Sequence, residues 1–351
     1  MTSKLIHSTS IFQDDALEEN AWAVLTEGQT TIGVGDRWKA YSADEVIDGT
    51  DMLLHSGLFD THCHGAGGFA ANRGLEDIRG ILDFNEKNQV TRSLISLVSA
   101  DFADMMRIAI AAQVLVDDPR FLGLHFEGPF LSLDQKGAQD PSAFKKPTNQ
   151  ELKQIVEVGT VASITVAPEV FSVNQLNTLA DGGIKLAFGH SSSNYLEALK
   201  FFTEHEYSVM THTFNGMKGI HHREPGPVPA AIETKTFLEL IADGVHVSPS
   251  AARLIPPERL ILVTDAIEAT GQPDGNYSLG AINVTVSDGV AKTRSGSLAG
   301  STLMLKDAVK NFASWTSSPL AAIRAATTNP EHAYGVQPNK LSLESAFLLS
   351  L

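Results

Sequence analysis

Two histidines separated by one residue stand where a short apolar segment gives way to glycines. The stretch reads G-L-F-D-T-H-C-H-G-A-G-G, with imidazoles at His62 and His64 and a carboxyl group at Asp60. In a β-strand, alternate side chains point to the same face, so these three side chains share one face. One metal ion could bind both imidazoles, whereas a pair of hydrogen-bonded histidines at a strand end is the alternative. The stretch alone leaves both interpretations open.

The segments that would have to position these side chains recur along the chain. Short apolar segments alternate for the most part with segments of helical periodicity, which predicts a parallel sheet covered on both faces. Eight such units predict a closed (β/α)8 barrel of the TIM type. The predicted strands cover residues 57–62, 93–99, 121–127, 163–169, 184–190, 208–214, 238–244 and 260–266.

Most of the predicted strands carry a histidine or an acidic residue near the carboxyl end, where barrels of this type form their active sites. These residues are His62, His64, Glu127, His190, His212, His246 and Asp265. A single histidine among them could be a core residue held by the backbone. Four imidazoles and a carboxylate at one barrel mouth, however, are a ligand set for Zn²⁺ or Fe²⁺, so we predict metal binding.

The two carboxylates of this set have different predicted roles. Glu127 lies in H-F-E-G-P-F, and a buried carboxylate needs a cation partner. We expect that partner to be metal, and Glu127 could bridge two ions about 3.5–4 Å apart. Asp265 ends L-V-T-D-A, where it could take a proton from water and deliver it to a leaving amine. A structural ion pair is the alternative for Asp265, and His125 and Asp60 are expected to support the site structurally.

Arg223 is the cationic residue that the barrel mouth would need for an anionic substrate. It lies in H-H-R-E-P-G, in a predicted loop. A guanidinium group suits a phosphate or a carboxylate, while an exposed loop arginine without a function is the alternative. The residues alone leave both open.

The chain ends predict a second, smaller domain. Strand and turn patterns occupy the first 55 residues, and the chain ends in the apolar A-F-L-L-S-L, which we expect to pair with the N-terminal strands. We therefore predict a small β-sandwich domain from residues 1–55 and 335–351, and a barrel from residues 56–334. Asp288-Gly289 predicts a β-hairpin insert near 278–295, followed by helices around 301–313 and 319–327.

Composition and charge exclude several classes of protein. The net charge of −15 argues against binding to nucleic acid or to anionic membrane surfaces. Cys63 is the only cysteine among 351 residues, so no internal disulfide is possible, and strand alternation turns it away from the predicted metal. No apolar run is long enough for a signal peptide or a membrane span. We expect a cytoplasmic protein.

Several stretches together resemble the amidohydrolase superfamily and, within it, the N-acetylglucosamine-6-phosphate deacetylase family. The H-x-H motif at 62–64 marks only the superfamily, whereas four other stretches together are specific to the deacetylases. These are E-G-P-F, T-H-T-F-N-G-M, A-D-G-V-H-V and L-A-G-S. The likeness runs from about residue 50 to residue 336.

The resemblance implies a barrel with a small β-sandwich, usually dimeric, and a metal site with one or two ions per subunit. Glu127, His190 and His212 would hold the main metal. His62 and His64 would hold a second ion and share Glu127 with the first. Zn²⁺ is the expected metal and Fe²⁺ the alternative.

The resemblance also assigns the substrate and the residues that contact it. It implies hydrolysis of the acetamide of N-acetyl-D-glucosamine 6-phosphate, in amino-sugar catabolism or cell-wall recycling, with Asp265 as general base and acid. Asn215 and the backbone of Gly216 match positions that touch the sugar phosphate. Arg223 and His246 match a phosphate-binding pair to which the neighbouring subunit contributes.

One position departs from the family pattern. In K-G-A-Q-D, Gln139 stands where the family usually has a histidine that polarises the acetamide carbonyl. We expect Ala138 and Gln139 to contact the substrate, with the neutral amide as the weaker donor. Losing an oxyanion donor costs on the order of 10²-fold in rate or more. Either the metal supplies more of the polarisation, or the preferred substrate differs.

Three other functions remain as alternatives. The first is the same reaction on another acylated amino-sugar phosphate, such as N-acetylgalactosamine 6-phosphate, which Gln139 keeps open. The second is a cyclic-amide hydrolase or deaminase, which would have no use for a phosphate pair of Arg223 and His246. The third is a sugar-phosphate sensor without activity, which would have no use for Asp265 beside a full ligand set.

Overall fold

The computed structural model describes residues 3–350, which form a parallel eight-stranded barrel and a smaller β domain. The strands, in chain order, are β1 Lys4–Gln13, β2 Ala16–Thr26, β3 Gln29–Val34, β4 Glu45–Asp48, β5 Met52–His55, β6 Leu58–Cys63, β7 Gly65–Ala66, β8 Phe69–Ala70, β9 Val90–Val98, β10 Phe121–Glu127, β11 Val161–Val166, β12 Lys185–Phe188, β13 Val209–Met210, β14 Phe237–Ile241, β15 Leu260–Val263, β16 Gly275–Leu279, β17 Ile282–Ser287, β18 Val290–Thr293 and β19 Phe347–Ser350.

The α-helices lie mainly between the barrel strands, as expected for a (β/α)8 fold. They are α1 Leu75–Lys87, α2 Phe102–Ala111, α3 Asn149–Val158, α4 Val173–Asp181, α5 Tyr195–Glu204, α6 Pro227–Ile232, α7 Pro249–Ala252, α8 Leu305–Thr316, α9 Pro319–Arg324 and α10 Thr328–Tyr334. Helices α3, α4 and α5 each begin with a capping box, in which the N-cap side chain and the third helical residue satisfy each other's backbone N–H groups.

The barrel strands are neighbours in the order β6, β9, β10, β11, β12, β13, β14 and β15, so all eight predicted strands are confirmed. The first and last strands meet at a closing seam, where Asp265 N–H donates to His62 O over 2.8 Å. His64 N–H donates to Ala266 O, also over 2.8 Å. The seam therefore brings residues 62, 64 and 265 side by side.

Five predicted strands are longer than the observed ones, and those at 184–190, 208–214 and 260–266 are shortened most. The stretch 208–214 is reduced to β13, and 184–190 is reduced to β12. The backbone leaves the extended region at the ends of these stretches, with φ of 46° at His190, 28° at His212 and 80° at Phe214. The chain thus turns sharply where the candidate ligands stand.

The small domain draws its sheet from both ends of the chain, as predicted. Among the described residues its strand order is β19-β5-β1-β2-β3, with β4 also paired to β1. The C-terminal strand lies antiparallel to β5, with Leu348 opposite Leu54. The domain bounds at residues 55 and 335 stay a prediction; Leu351, the end of the predicted C-terminal strand, lies outside the described residues.

The insert after the barrel is a three-stranded sheet of β16, β17 and β18. Asp288 and Gly289, with φ of 51° and 72°, form the predicted hairpin turn between β17 and β18. Strand β16 begins at Gly275, ahead of the predicted range. Helix α8 begins later than predicted, because Ser301 bridges to the barrel through a bond from its N–H to Asp265 O.

Within residues 3–350, no helix combines the length and the apolar character needed to cross a bilayer.

Candidate active site

Six of the predicted side chains converge in one buried cluster at the carboxyl ends of the barrel strands, which we call the mouth cluster. Its members are His62, His64, Glu127, His190, His212 and Asp265, all buried. Glu127 is central: its Oε1 lies 2.9 Å from His212 Nε2 and 3.1 Å from His190 Nε2. Its Oε2 lies 3.3 Å from His64 Nε2. Strands far apart in sequence thus direct their ligand atoms at one carboxylate.

The mouth cluster contains two groups that could each hold a metal ion. One group is His62, His64 and Glu127, and the other is Glu127, His190 and His212, with the ligand atoms of each within 4.8 Å of one another. Asp265 lies beside the first group, with Oδ1 3.2 Å from His64 Nε2 and 3.5 Å from His62 Nε2. The structure brings the predicted ligands together, and their binding of metal stays a prediction.

The outer ring nitrogens of three histidines orient the imidazoles of the mouth cluster. His64 Nδ1 lies 3.1 Å from Ser96 O, and His190 Nδ1 lies 2.7 Å from Gln135 O. His62 Nδ1 lies 3.3 Å from Glu239 Oε2. A carbonyl or carboxylate that accepts the Nδ1 proton leaves Nε2 as the nitrogen that can bind a metal once its own proton is displaced, which is the arrangement of metal-binding histidines.

The Nε2 atoms of the four histidines are arranged to share a cation rather than to hydrogen-bond to one another. His62 Nε2 and His64 Nε2 are 3.1 Å apart, and so are His190 Nε2 and His212 Nε2. Two lone pairs at this distance repel unless a proton or a metal lies between them. The donor set of imidazole nitrogen and carboxylate oxygen suits a divalent transition metal, so these residues fit such an ion.

The electrostatics of the mouth cluster also favour a cation. Burial would raise the pKa of Glu127, but the charge and hydrogen bond of His190, together with the hydrogen bonds of His212 and His64, hold that pKa well below its usual range. Burial would likewise raise the pKa of Asp265, but His62 and His64 lower it to about 2. Burial would lower the pKa of His64, but its bonds to Asp265 and Glu127 raise it to about 10. Two ionised carboxylates therefore require positive charge beside them.

Backbone strain coincides with the mouth cluster. His190, His212 and Asp265 all adopt positive φ, at 46°, 28° and 49°. Residues other than glycine rarely adopt positive φ, and those that do are concentrated at functional sites. Gly216 also has a positive φ of 58°, and a Cβ there would lie 2.9 Å from His190 Nδ1. The lack of a side chain at Gly216 thus leaves room for the imidazole of His190.

Asp60 and His125 lie deeper than the mouth cluster and connect strands. Asp60 Oδ2 accepts a bond from Thr264 Oγ1 over 2.6 Å, and burial raises the pKa of Asp60 to about 6. His125 lies 2.9 Å from Ser96 Oγ and 2.8 Å from Thr165 Oγ1. These contacts agree with the supporting roles expected from the sequence.

Gln139 and its neighbour Ala138 lie beside the mouth cluster. Gln139 is buried, and its Nε2 donates to Glu127 Oε2 over 2.7 Å. Its Oε1 accepts from Ser99 N–H over 3.1 Å. Ala138 is partly buried and packs against the apolar cluster beneath the insert. On the opposite side, the Asn215 amide donates to His212 O over 3.2 Å.

Arg223 and His246 are not hydrogen-bonded to the mouth cluster within residues 3–350. Arg223 is exposed, with Nη1 2.9 Å from His222 Nε2. His246 Nδ1 lies 2.6 Å from Asp243 Oδ2. The His246 side chain lines a cavity of about 280 Å³ between the loop that follows β14 and the segment 300–304. No hydrogen bond joins Arg223 to His246 within residues 3–350.

Sequence reasoning did not identify Glu239 or Asp243. Glu239 accepts a bond from Thr61 Oγ1 over 2.7 Å and faces His62, while Asp243 faces His246. A lone acidic residue inside the apolar run L-E-L-I was a signal for Glu239, since a buried carboxylate needs a partner. The spacing of Asp243 and His246 in A-D-G-V-H-V was a signal for the other.

Comparisons with known proteins give a consistent set of relatives. The chain is 35% identical over 306 residues to the N-acetylglucosamine-6-phosphate deacetylase of Vibrio furnissii, covering 83% of this chain and 76% of the relative. It is 34% identical over 297 residues to the N-acetylgalactosamine-6-phosphate deacetylase of Escherichia coli O157:H7, covering 81% and 78%. No family model matches the chain.

The fold has a close counterpart among solved structures. An N-acetyl-D-glucosamine-6-phosphate deacetylase from Mycobacterium smegmatis, in complex with N-acetyl-D-glucosamine 6-phosphate, matches with a TM-score of 0.89 and 28% identity. The match covers 99% of this chain and 95% of the other.

Proposed function

The chain belongs to the N-acetylglucosamine-6-phosphate deacetylase family, and we propose that it hydrolyses the acetamide of N-acetyl-D-glucosamine 6-phosphate to acetate and D-glucosamine 6-phosphate. The mouth cluster is the observation that carries this proposal. It combines two candidate metal groups with an ionised carboxylate, Asp265, that lies within 3.5 Å of two imidazoles but belongs to neither group.

The proposed cofactor is Zn²⁺, with Fe²⁺ as the alternative. Glu127, His190 and His212 would hold the main ion, and His62 and His64 would hold a second with Glu127 shared. Such an ion polarises a carbonyl and lowers the pKa of water. Acceptors at Nδ1 already orient three of these imidazoles, those of His62, His64 and His190.

The proton transfers are assigned to Asp265. Its pKa of about 2 makes it a carboxylate at neutral pH, able to accept a proton at Oδ1 from the attacking water. The water oxygen forms a bond to the carbonyl carbon, and the C–N bond then breaks. Asp265 returns the proton to the departing amine nitrogen, which leaves acetate and the free amino sugar.

Binding of the sugar phosphate is assigned to residues around the rim of the mouth. Ala138 and Gln139 would lie beside the acetamide, and Asn215 and Gly216 beside the sugar. Arg223 and His246 would bind the phosphate. Because Arg223 is exposed and its guanidinium is bonded to His222 rather than to His246, a homodimer in which each subunit lends Arg223 to the other fits the arrangement. We further propose a cytoplasmic enzyme.

N-acetylgalactosamine 6-phosphate is the second candidate substrate. The relative from Escherichia coli O157:H7 is named for it and is about as similar to this chain as the relative named for the glucosamine compound. Gln139, in place of the usual histidine, is the residue that could alter the preference.

The test is acetate release by zinc-reconstituted protein from three substrates: N-acetylglucosamine 6-phosphate, N-acetylgalactosamine 6-phosphate and unphosphorylated N-acetylglucosamine. We expect fast, phosphate-dependent release from the first. Faster release from the galactosamine compound would establish the second candidate. No release from any of them by folded, zinc-loaded protein would refute the proposed function.

A further inference from the structure

Gln139 is the residue that departs from the family pattern, and its contacts point to a role other than substrate contact. We infer that Gln139 is a positioning residue that holds the Glu127 carboxylate in its metal-binding orientation. The inference rests on the proposed function, since it takes Glu127 as a metal ligand. It adds a role in building the metal site to the proposed position of Gln139 beside the acetamide.

The orientation of the Gln139 amide is fixed by a backbone donor. Ser99 N–H, 3.1 Å from Oε1, can only donate, so the oxygen of the amide must face it. The amide nitrogen is consequently turned to Glu127 Oε2, 2.7 Å away. Ser99 Oγ also donates to Glu127 O over 3.1 Å, so β9 and β10 are joined at their ends. All of these groups are buried, which excludes water as a competing partner.

The bond from Gln139 determines which oxygen of Glu127 faces the main ligand group. With Oε2 held by the amide, Oε1 stays 3.1 Å from His190 Nε2 and 2.9 Å from His212 Nε2. Without that bond, the carboxylate could rotate about its terminal torsion, which is broad. A bond to a ligating carboxylate of this kind typically changes metal affinity by about 10–100-fold when it is removed.

The same loop orients a second ligand. Gln135 O accepts from His190 Nδ1 over 2.7 Å, and Gln139 lies four residues further along the loop. Gly137, between them, has a φ of 57°, and a Cβ there would lie 3.1 Å from His190 Cε1. The segment 135–139 therefore contacts two of the three ligands in the main group. This makes the loop a support of the metal site in addition to a wall of the substrate pocket.

The experiment measures zinc affinity without substrate. Gln139→Met removes the donor at similar volume, and Gln139→Asn keeps the amide but shortens the side chain so that it no longer spans from Ser99 to Glu127. The dissociation constant of the tightest zinc ion is measured by chelator competition for wild type, both variants and Gln154→Met, a control at an exposed glutamine of α3. Circular dichroism and the melting temperature identify a variant that does not fold, in which case the other decides.

We expect zinc to bind about 10–100-fold more weakly to the folded Gln139 variants than to wild type. The control should bind zinc as wild type does. Unchanged zinc affinity with a reduced kcat at saturating zinc would overturn the inference and return Gln139 to the substrate carbonyl. Wild-type protein that binds zinc but releases no acetate would refute the proposed function while leaving the zinc result on Gln139 intact.

Discussion

The buried polar groups at the barrel mouth differ from those at the junction between the barrel and the small domain. At the junction, His55 accepts a bond from Gly57 N–H at Nδ1 and lies 3.1 Å from Gln89 Oε1 at Nε2. Gln89 in turn donates to Leu348 O over 3.1 Å. Each donor there faces an acceptor. In the mouth cluster, Nε2 faces Nε2 in two histidine pairs, and the same nitrogens converge on the carboxylates of Glu127 and Asp265, an arrangement that suits a shared cation.

The pKa values of two equally buried imidazoles follow the same division. Burial lowers the pKa of His55 to about 4, since no carboxylate lies beside it to offset the loss of hydration. Burial opposes the charge on His64 too, but Asp265 and Glu127 raise its pKa to about 10. A buried polar group that the chain satisfies supports the fold, whereas one that requires an added cation marks a site.

The strongest test of this comparison removes Asp265, the carboxylate to which proton transfer is assigned. We expect Asp265→Asn to lower kcat by about 10³-fold, because an amide cannot accept the proton from water. Zinc content should stay at the wild-type level, since Asp265 belongs to neither ligand group. Steady-state acetate release and elemental analysis measure the two quantities. The exposed Asp181→Asn serves as control, and retained turnover in Asp265→Asn would contradict the assignment.

Zinc affinity should depend on pH because zinc must displace protons from the mouth cluster. The raised pKa of about 10 means that His64 holds a proton throughout pH 6–8 in metal-free protein, and the pKa of His190 is also raised. Affinity should therefore fall as pH falls, by about 10-fold per pH unit for each displaced proton. Chelator competition at several pH values measures it. Affinity that does not vary between pH 6 and 8 would argue against displacement.

The junction should respond to acid through stability alone. The pKa of His55 falls from its ordinary value of 6.5 to about 4 on folding, so its contribution is present above pH 6.5 and is lost as pH falls toward 4. At pH 5 the loss relative to pH 7.5 should be about 2 kcal/mol. Urea unfolding of wild type and His55→Gln, both metal-free, isolates this effect because the mouth cluster titrates equally in both. An equal loss of unfolding free energy at pH 5 in wild type and in His55→Gln would show that His55 is not the group responsible.

Arg223 lies in neither the mouth cluster nor the junction, and we expect its substitution to have the smallest effect on the protein. Its guanidinium contacts His222 and is exposed, so removing it should leave stability and zinc binding unchanged. Bonds between charged groups contribute roughly 1.5–3 kcal/mol, so Arg223→Ala should raise KM for the phosphorylated substrate about 10-fold or more. Arg107→Ala, an exposed arginine of α2, is the control. An equal rise in KM for unphosphorylated substrate would remove Arg223 from phosphate binding.

The periodicity of the sequence was sufficient to predict the barrel, because each buried strand reads as an apolar run and each outer helix as an amphipathic one. It also placed His62, His64, Glu127 and Asp265 at strand ends, which is why the mouth cluster could be anticipated. Strand ends were less predictable. The extended pattern continues through His212, but the positive φ there ends β13 early, and tertiary contacts impose that turn.

Partners that act across the barrel could not be read from the sequence. Glu239 lies 177 residues from His62, and an acidic residue in an apolar run does not reveal which ring it faces. Gln139 was identified as unusual, but its attachment to Glu127 and Ser99 depends on the fold of the loop that carries it. The type of residue indicated a site, whereas the geometry indicated what each residue contacts.

The closing seam has a consequence for how the protein comes into being on the ribosome. The main ligand group is complete in sequence once His212 has been synthesised, while Asp265 emerges later with the last barrel strand. The predicted ligands of the main group therefore precede, in synthesis, the carboxylate that is assigned to proton transfer. Because Asp265 N–H reaches His62 O across the closing seam, that carboxylate takes its place beside the ligands only when the last barrel strand joins the first.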